Sequence, residues 1–304
     1  MDIYLPIAEL SVHAGVIILL GLLVGMLSGM FGVGGGFLTT PLLIFYGISP
    51  AVAVASSTTQ IAGTSISGAI AHARGKGVDF RMGGVLVAGG VTGTIAGGLL
   101  FLELQRIGQI DVTVAILYVL LLGGIGVLMI REAKTVIDAK RSGRPIKPPA
   151  RRHHPLIAAL PMRWRFYRSG LYISPIAPFA IGFAVGTLTV MLGIGGGFIL
   201  VPAMIYLLGM STRVVVGTSL FQILFVAAST TMVHALTTRA VDIVLAVLLL
   251  IGGVAGAQLG TRLASRIDPE WLRLLLAALV IIVAVRMALG LAWRPDEIYS
   301  IELS

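Results

Sequence analysis

The sequence predicts an all-α polytopic membrane protein made of two homologous halves, and three observations support this prediction. Hydrophobic residues make up 57% of the 304 residues and charged residues 12%, whereas soluble domains are about 45–50% apolar and about 25% charged. Apolar stretches long enough to cross a bilayer recur along the chain. One glycine-rich motif occurs twice, each time followed by the same polar residues.

The composition excludes several classes of protein. A mean hydropathy of +1.00 is incompatible with a soluble enzyme or a disordered chain. The sequence contains no cysteine, which excludes a disulfide scaffold, thiol catalysis, cysteine-ligated zinc and iron–sulfur clusters. It also lacks the HExxH and GxSxG motifs of hydrolases. We therefore expect no enzymatic activity, no metal and no cofactor.

A spanning helix needs about 20 mostly apolar residues, and apolar stretches occur in both halves of the chain. The first half has 12–31, 36–47, 50–73, 83–101 and 111–130, and the second has 171–192, 197–209, 212–236, 240–261 and 271–293. Stretches 36–47 and 197–209 are too short to span. We predict a glycine-broken or re-entrant helix at each, beside about three full spans per half. Residues 1–130 then form the first membrane repeat and residues 171–304 the second.

The segment 131–170 between the halves determines the predicted topology. It holds 11 of the 22 Lys and Arg residues but only 2 of the 13 Asp and Glu residues, so the net charge of +9 arises entirely here. Because loops rich in Lys and Arg stay on the cytoplasmic side, we predict a basic cytoplasmic linker and periplasmic termini in the cell inner membrane. We expect the linker's basic aromatic end, 162–168, to rest on anionic lipid headgroups rather than on nucleic acid.

The relative orientation of the halves depends on how often each crosses the membrane. An odd number of crossings per half gives inverted repeats, and an even number gives parallel repeats. We predict inverted repeats, because that arrangement places more of the arginines of the second half on the cytoplasmic side.

Residues that match in order and spacing define the repeat. Gly32-Val-Gly-Gly-Gly36, Phe37 and Pro41 correspond to Gly193-Ile-Gly-Gly-Gly197, Phe198 and Pro202. Farther along the chain, Ser57, Gln60, His72 and Asp79 correspond to Ser219, Gln222, His234 and Asp242. Chance similarity between apolar sequences would not align glutamine, histidine and aspartate, so we infer an internal duplication.

The glycine-rich motifs predict the functional site. Dense glycine destabilises a helix, and a helix that restarts after a break points unpaired N–H groups back at it, which favours an anion. Serine and glutamine on the next helix add neutral hydrogen-bond donors. The predicted substrate-binding residues are Gly34, Gly35, Gly36, Ser57, Gln60, Gly195, Gly196, Gly197, Ser219, Gln222 and Arg213.

Several polar residues fit a structural role as well as a functional one. Serine and glutamine also hydrogen-bond between membrane helices, and Arg213 either attracts anions or anchors a helix end. His72 and His234 are weak candidates for coupling or gating, and helix capping or a water-facing position accounts for them equally well. We predict helix capping for the two aspartates. Glycines spaced by four predict close helix packing: Gly21, Gly25, Gly29, Gly89, Gly93, Gly97, Gly252, Gly256 and Gly260.

The duplicated GxGGGF…P motifs, each followed by a polar span that contains Gln60 or Gln222, resemble those of the sulfite exporter TauE/SafE family of membrane permeases. The resemblance covers about residues 12–130 and 171–293 and implies passage of sulfur-containing anions such as sulfite, thiosulfate and sulfoacetate. The resemblance to thiosulfate-uptake proteins that depend on cysteine is poor, because this sequence contains no cysteine.

We therefore expect a secondary transporter that exports a small sulfur-containing anion, such as sulfite, sulfoacetate or another organosulfonate, by alternating access at a midplane site. An anion channel and a non-transporting membrane subunit that docks through its basic linker are the alternatives. The expected partners are the small anion and membrane lipids, without nucleic acid, and a homodimer is left open.

Overall fold

The computed structural model describes residues 2–31, 36–74, 77–141, 161–264 and 269–292, and helices dominate them. The prediction of an all-α polytopic membrane protein is confirmed. The helices of the first half are α1 (Ala14–Phe31), α2 (Gly36–Phe45), α3 (Pro50–Arg74), α4 (Phe80–Arg106) and α5 (Ile110–Arg141). Those of the second half are α6 (Ile176–Leu192), α7 (Gly197–Pro202, continued as a π-helix over Ala203–Leu207), α8 (Thr212–Thr237), α9 (Ile243–Ala264) and α10 (Pro269–Ala292).

Most of the helices are long enough to cross a membrane. By length and composition, candidate spans lie within α4, α5, α8, α9 and α10. The 25-residue α3 has a similar length, but its first half contains the polar run 56–60. The stretches predicted to be too short to span form α2, with 10 residues, and α7, with 6 residues and a 5-residue π-helical continuation. At about 1.5 Å per residue, neither segment spans a bilayer core of about 30 Å.

Each half begins with a small β-hairpin that the residue pattern did not indicate. Strands β1 (Asp2–Leu5) and β2 (Leu10–His13) pair antiparallel before α1. Strands β3 (Trp164–Phe166) and β4 (Leu171–Ile173) pair antiparallel before α6. The second hairpin begins inside the segment expected to be the basic linker, and α5 extends into the other end of that segment as far as Arg141.

Glycine seams join the two halves, because α1 packs on α9 and α4 packs on α6. A Cβ atom added at Gly25 would lie 2.3 Å from the carbonyl oxygen of Gly253, and one at Gly93 would lie 2.1 Å from the carbonyl oxygen of Phe183. All nine glycines of the three predicted series make such close approaches to the opposite helix. The prediction that they serve helix packing is confirmed, since hydrogen is the only side chain these seams admit.

The order of the contacts gives the directions of the packed helices. Gly252, Gly256 and Gly260 face Ile18, Leu22 and Met26 in turn, so α9 runs parallel to α1. By the same reasoning α4 runs parallel to α6, since Gly89 faces Phe179 and Gly93 faces Phe183.

Helices α3 and α8 cross at the centre and run antiparallel. The backbone N–H of Asp79, just after α3, donates to Thr218 Oγ1 near the start of α8 at 3.0 Å. Reciprocally, the N–H of Asp242, just after α8, donates to Ser56 Oγ near the start of α3 at 3.2 Å. The start of each helix therefore lies beside the end of the other.

Asp79 and Asp242 tie each half to the hairpin of the other half. Asp79 Oδ1 caps α4 by accepting from the N–H groups of Arg81 and Met82, and its Oδ2 accepts from both the N–H and the hydroxyl of Ser169, between β3 and β4. Asp242 Oδ1 accepts from the N–H of Leu245 in α9, and its Oδ2 accepts from the N–H of Ile7, between β1 and β2. The predicted capping role of both aspartates is confirmed.

Substitution of Gly93 by alanine tests the glycine seams. We expect Gly93→Ala to lower the melting temperature, because its Cβ would meet backbone atoms of Phe183, and overpacking of this kind costs about 1–3 kcal/mol. Gly123→Ala is the matched control, since nothing lies within 4 Å of that Cβ position and alanine favours helix. Thermal unfolding in detergent measures both variants, and equal melting temperatures would contradict the packing role.

The hydrogen bonds of the two aspartates give a second prediction, which ranks three variants by how much stability each loses. Asp79→Ala should destabilise the protein more than Asp242→Ala, because Asp79 accepts bonds from two donors of Ser169 where Asp242 accepts one from Ile7. Loss of a helix N-cap alone costs about 0.5–2 kcal/mol. The exposed Asp111, in the first turn of α5, provides Asp111→Ala as a control that should change the melting temperature little. If Asp111→Ala lowered the melting temperature as much as Asp79→Ala, the structural role assigned to Asp79 would be refuted.

Candidate functional site

The second-half glycine motif is a buried break between two helices. Helix α6 ends at Leu192, and the next residue, Gly193, has φ of +69° and donates its N–H to the carbonyl of Thr189. Gly195 and Gly196 also have positive φ, +66° and +74°. Side chains fill the space around them, since a Cβ at Gly195 would lie 2.6 Å from Ile61 and one at Gly196 would lie 2.2 Å from Val185. Both the backbone conformation and the packing therefore require glycine here.

The start of α2 meets the start of α7 at the centre of the molecule. The rings of Phe37 and Phe198 stack with centroids 4.5 Å apart and planes 7° apart, and both side chains are buried. Gly36 lies against the break as well, because a Cβ there would lie 2.9 Å from the carbonyl oxygen of Gly193. Equivalent residues of the two halves thus touch each other, which places both short helices at one locus.

In the second half, three N–H groups of the break have no partner among the described residues. Within the described ranges, no residue accepts a hydrogen bond from the backbone N–H of Gly195, Gly196 or Gly197. These groups are buried in protein, where an unpaired N–H is costly. An acceptor from a ligand would satisfy them. The first-half residues Gly34 and Gly35 lie outside the described residues, so their proposed role stays a prediction.

The polar residues that follow on α3 and α8 flank this locus. Ile61 and Ile223, the residues after the two glutamines, both approach Gly195, so the two polar runs and the break share one layer. The serine and glutamine side chains predicted to bind the substrate are buried, with Ser57, Ser219 and Gln222 fully so and Gln60 4% exposed. Ser57 Oγ, Gln60 Oε1 and both amide atoms of Gln222 find no hydrogen-bond partner among the described residues.

The neighbouring hydroxyls behave differently, because they are already bonded. Ser219 Oγ donates to the carbonyl of Val216 at 2.9 Å. Thr58 donates to carbonyls within α3, and Thr59 donates to Ala55 and contacts Thr231 of α8. Free donor capacity among these side chains therefore lies in Gln222 Nε2 and Ser57 Oγ, whereas the unpartnered atom of Gln60, Oε1, is an acceptor. The amide nitrogens of the two glutamines lie near different helices, that of Gln60 near Gly253 of α9 and that of Gln222 near Gly90 of α4.

Two further side chains bond to the carbonyls at the end of α6. His234 is buried, with Nε2 3.0 Å from the carbonyl oxygen of Val190 and its ring edge-on to Phe101 at 4.8 Å. Because a carbonyl only accepts, Nε2 carries the proton in this contact. Tyr118 of α5 is fully buried and donates its hydroxyl to the carbonyl of Leu192.

Neither contact follows from the repeat pattern. The structure gives His234 a buried position, which removes the water-facing alternative for this residue. Tyr118 was not predicted at all. A usable signal was present, since a phenol hydroxyl inside the apolar stretch 111–130 needs a hydrogen-bond partner within the membrane.

Charged side chains are absent from this locus as far as the structure describes it. The buried charged side chains of the described part are Asp79 and Asp242, both at helix ends. Arg286 is exposed, with its guanidinium 5.2 Å from the ring of Phe45, so it does not face the interior. The side chains of His72 and Arg213 lie outside the described residues. Among the residues searched, no cluster of three His, Asp or Glu could hold a metal ion.

Comparison with known proteins identifies one family and several relatives. The profile of the sulfite exporter TauE/SafE family matches residues 17–287. The probable membrane transporter protein YjnA of Bacillus subtilis is 28% identical over 89% of this chain and 98% of its own length. A probable membrane transporter protein of Xylella fastidiosa is 29% identical over 90% and 93%, and YunE of Bacillus subtilis is 26% identical over 90% and 96%. No solved structure matches the chain.

The unpaired amide of Gln222 generates a prediction about stability without ligand. We expect Gln222→Leu to raise the melting temperature of the ligand-free protein, because each buried polar group without a partner costs about 1–3 kcal/mol. His234→Leu is the matched comparison, since it removes an equally buried polar group that is bonded, and it should lower the melting temperature. A lowered melting temperature for Gln222→Leu would show that this amide is structural.

Proposed function

Because the chain belongs to the sulfite exporter TauE/SafE family, we propose that this membrane transporter carries a small sulfur-containing anion such as sulfite, sulfoacetate or another organosulfonate. The observation that carries the proposal is the set of buried, neutral, unpartnered polar groups beside the meeting point of the two short helices. Natural proteins pair such groups. An oxyanion has several acceptor oxygens, which would accept hydrogen bonds from Gln222 Nε2, Ser57 Oγ and the N–H groups of Gly195–Gly197 together.

The proposed site is built from both halves. Backbone N–H groups of Gly195–Gly197 in the second half and of Gly34–Gly36 in the first would bind the oxyanion, helped by the helix dipoles. Ser57, Gln60, Ser219 and Gln222 would add side-chain donors, with Ser219 turning its hydroxyl away from Val216. We assign Arg213 an attracting role near the site, and we leave His72 as a weak candidate for coupling.

The helix directions support alternating access between two inverted repeats. Since α3 and α8 run antiparallel, they end at opposite faces, and so α4 and α9 begin at opposite faces. Helix α6 runs parallel to α4 and α1 runs parallel to α9, so α1 and α6 begin at opposite faces too. Halves of opposite orientation that meet at one locus match the geometry in which one half rocks against the other.

The direction of transport follows from charge. We place the basic segment 131–170 in the cytoplasm of a cell whose inner membrane holds the protein, which puts the first hairpin outside. At an inside-negative potential, export of each negative charge is favourable by about 2.3 kcal/mol per 100 mV. Export of an anion therefore needs no chemical energy source of its own.

A binding screen with a double variant tests the proposal. The purified full chain is titrated with sulfite, sulfate, thiosulfate, sulfoacetate and taurine, and binding is read as thermal shift and by calorimetry. Gln60→Ala combined with Gln222→Ala should abolish binding while the protein stays folded, because the unpartnered amides are lost. Thr58→Val on the same helix is the control, since its hydroxyl bonds within α3. Unchanged affinity in the double variant would contradict the assignment of the anion site to these two glutamines.

A further inference from the structure

A break in a helix places two helix ends of opposite partial charge side by side, and the negative end disfavours an anion. The N-terminus of α7 carries a positive partial charge, but the C-terminus of α6, which ends at Leu192 just before the break, carries a negative one of similar size, about half an elementary charge. The last four carbonyls of a helix have no partner within it. Carbonyls left free at this position would repel an anion and attract a cation.

Three of the last four carbonyls of α6 are occupied. Thr189 accepts from the N–H of Gly193 at 2.8 Å, within the turn that ends the helix. Val190 accepts from His234 Nε2 at 3.0 Å, and Leu192 accepts from the Tyr118 hydroxyl. The two side chains come from different helices, α8 and α5, so these caps are built by tertiary structure.

Both donors are held in fixed positions. Tyr118 is fully buried and His234 is fully buried. The His234 ring is fixed from two sides, by Phe101 at 4.8 Å and by Thr238 Oγ1 at 3.3 Å from Nδ1. Neither ring has room to leave its carbonyl without repacking the core, so both donors are preorganised.

We propose that Tyr118 and His234 determine the charge selectivity of the site by neutralising the C-terminal carbonyls of α6 beside the bound anion. The inference rests on the proposed anion-transport function and extends it to two residues that do not touch the substrate. They are positioning residues, because the anion itself is held by N–H groups and amides. The two rings donate hydrogen bonds to carbonyls of α6 and so reduce the negative partial charge that opposes the anion.

The test uses the full chain in proteoliposomes and in detergent, with sulfate, sulfite and methanesulfonate as probes. Tyr118→Phe keeps the ring and removes only the hydroxyl, and we expect it to weaken sulfite binding about tenfold, the scale of one net hydrogen bond. The loss should be larger for sulfate, a dianion, than for methanesulfonate, a monoanion, because repulsion grows with ligand charge. Tyr46→Phe, at a position 37% exposed, is the matched control and should bind every probe like the wild type.

A second pair of variants separates neutralisation from packing. His234→Leu removes the donor to Val190, whereas His234→Gln keeps an N–H of similar reach and should restore most of the affinity. If the wild type binds only one of the three probes, affinities for different charges cannot be compared. The rescue of binding by His234→Gln then decides the test. Equal losses for all probes, no loss in Tyr118→Phe, or no rescue by glutamine overturns the inference. If the wild type binds none of the three probes and none of the earlier panel, the proposed function itself fails.

Discussion

The architecture depends on the rule that backbone polar groups inside a membrane need partners within the protein. Long helices satisfy the rule by themselves, which is why α3 to α5 and α8 to α10 carry most of the chain. At the break after Gly193, three N–H groups have no partner among the described residues, and the protein surrounds that break with the other half. Ile61 and Gly36 from the first half lie against it. The place where N–H groups of the second half lack a described partner is therefore also the place where both halves meet.

The halves are interlocked so that neither folds around its own core alone. The glycine seams pair the first helix of each half with the fourth helix of the other, and backbone contact there excludes any side chain. Asp79 and Asp242 repeat this exchange at the helix ends, since each caps its own helix and holds the hairpin of the opposite half. Such reciprocity is expected of a duplicated chain, because equivalent residues meet equivalent partners.

The reciprocity is not complete, and the differences are informative. The hairpin β3–β4 is held by Ser169 through two bonds and by Arg168, whose guanidinium donates to Val78 at 2.7 Å. The hairpin β1–β2 has the bond of Ile7 to Asp242 in the same place. Pro202 is followed by a π-helical turn, whereas α2 stays α-helical beyond Pro41.

Sequence reasoning recovered the features that are periodic or duplicated. The spacing of the glycines predicted the seams, and the matched aspartates predicted the caps, because both roles are local and require specific residue types. The hairpins were missed because each is built from strands of three or four residues, too short to show alternation. Tyr118 was missed because it has no counterpart to mark it, and its hydroxyl acts on Leu192 of another helix. Long-range pairs of this kind depend on packing that no single stretch encodes.

The anion site that we propose has no fixed positive charge among its described side chains, and this has a physical advantage. A buried cation would cost several kcal/mol when the site is empty and would hold a released anion by the same attraction. Neutral amides and N–H groups avoid both effects, but their weaker field makes any nearby negative dipole important. The carbonyls of Val190 and Leu192 are such dipoles, and in our proposal their capping by His234 and Tyr118 lets a neutral site favour an anion. Weak binding that still discriminates charge is what a transporter requires, because it has to release what it selects.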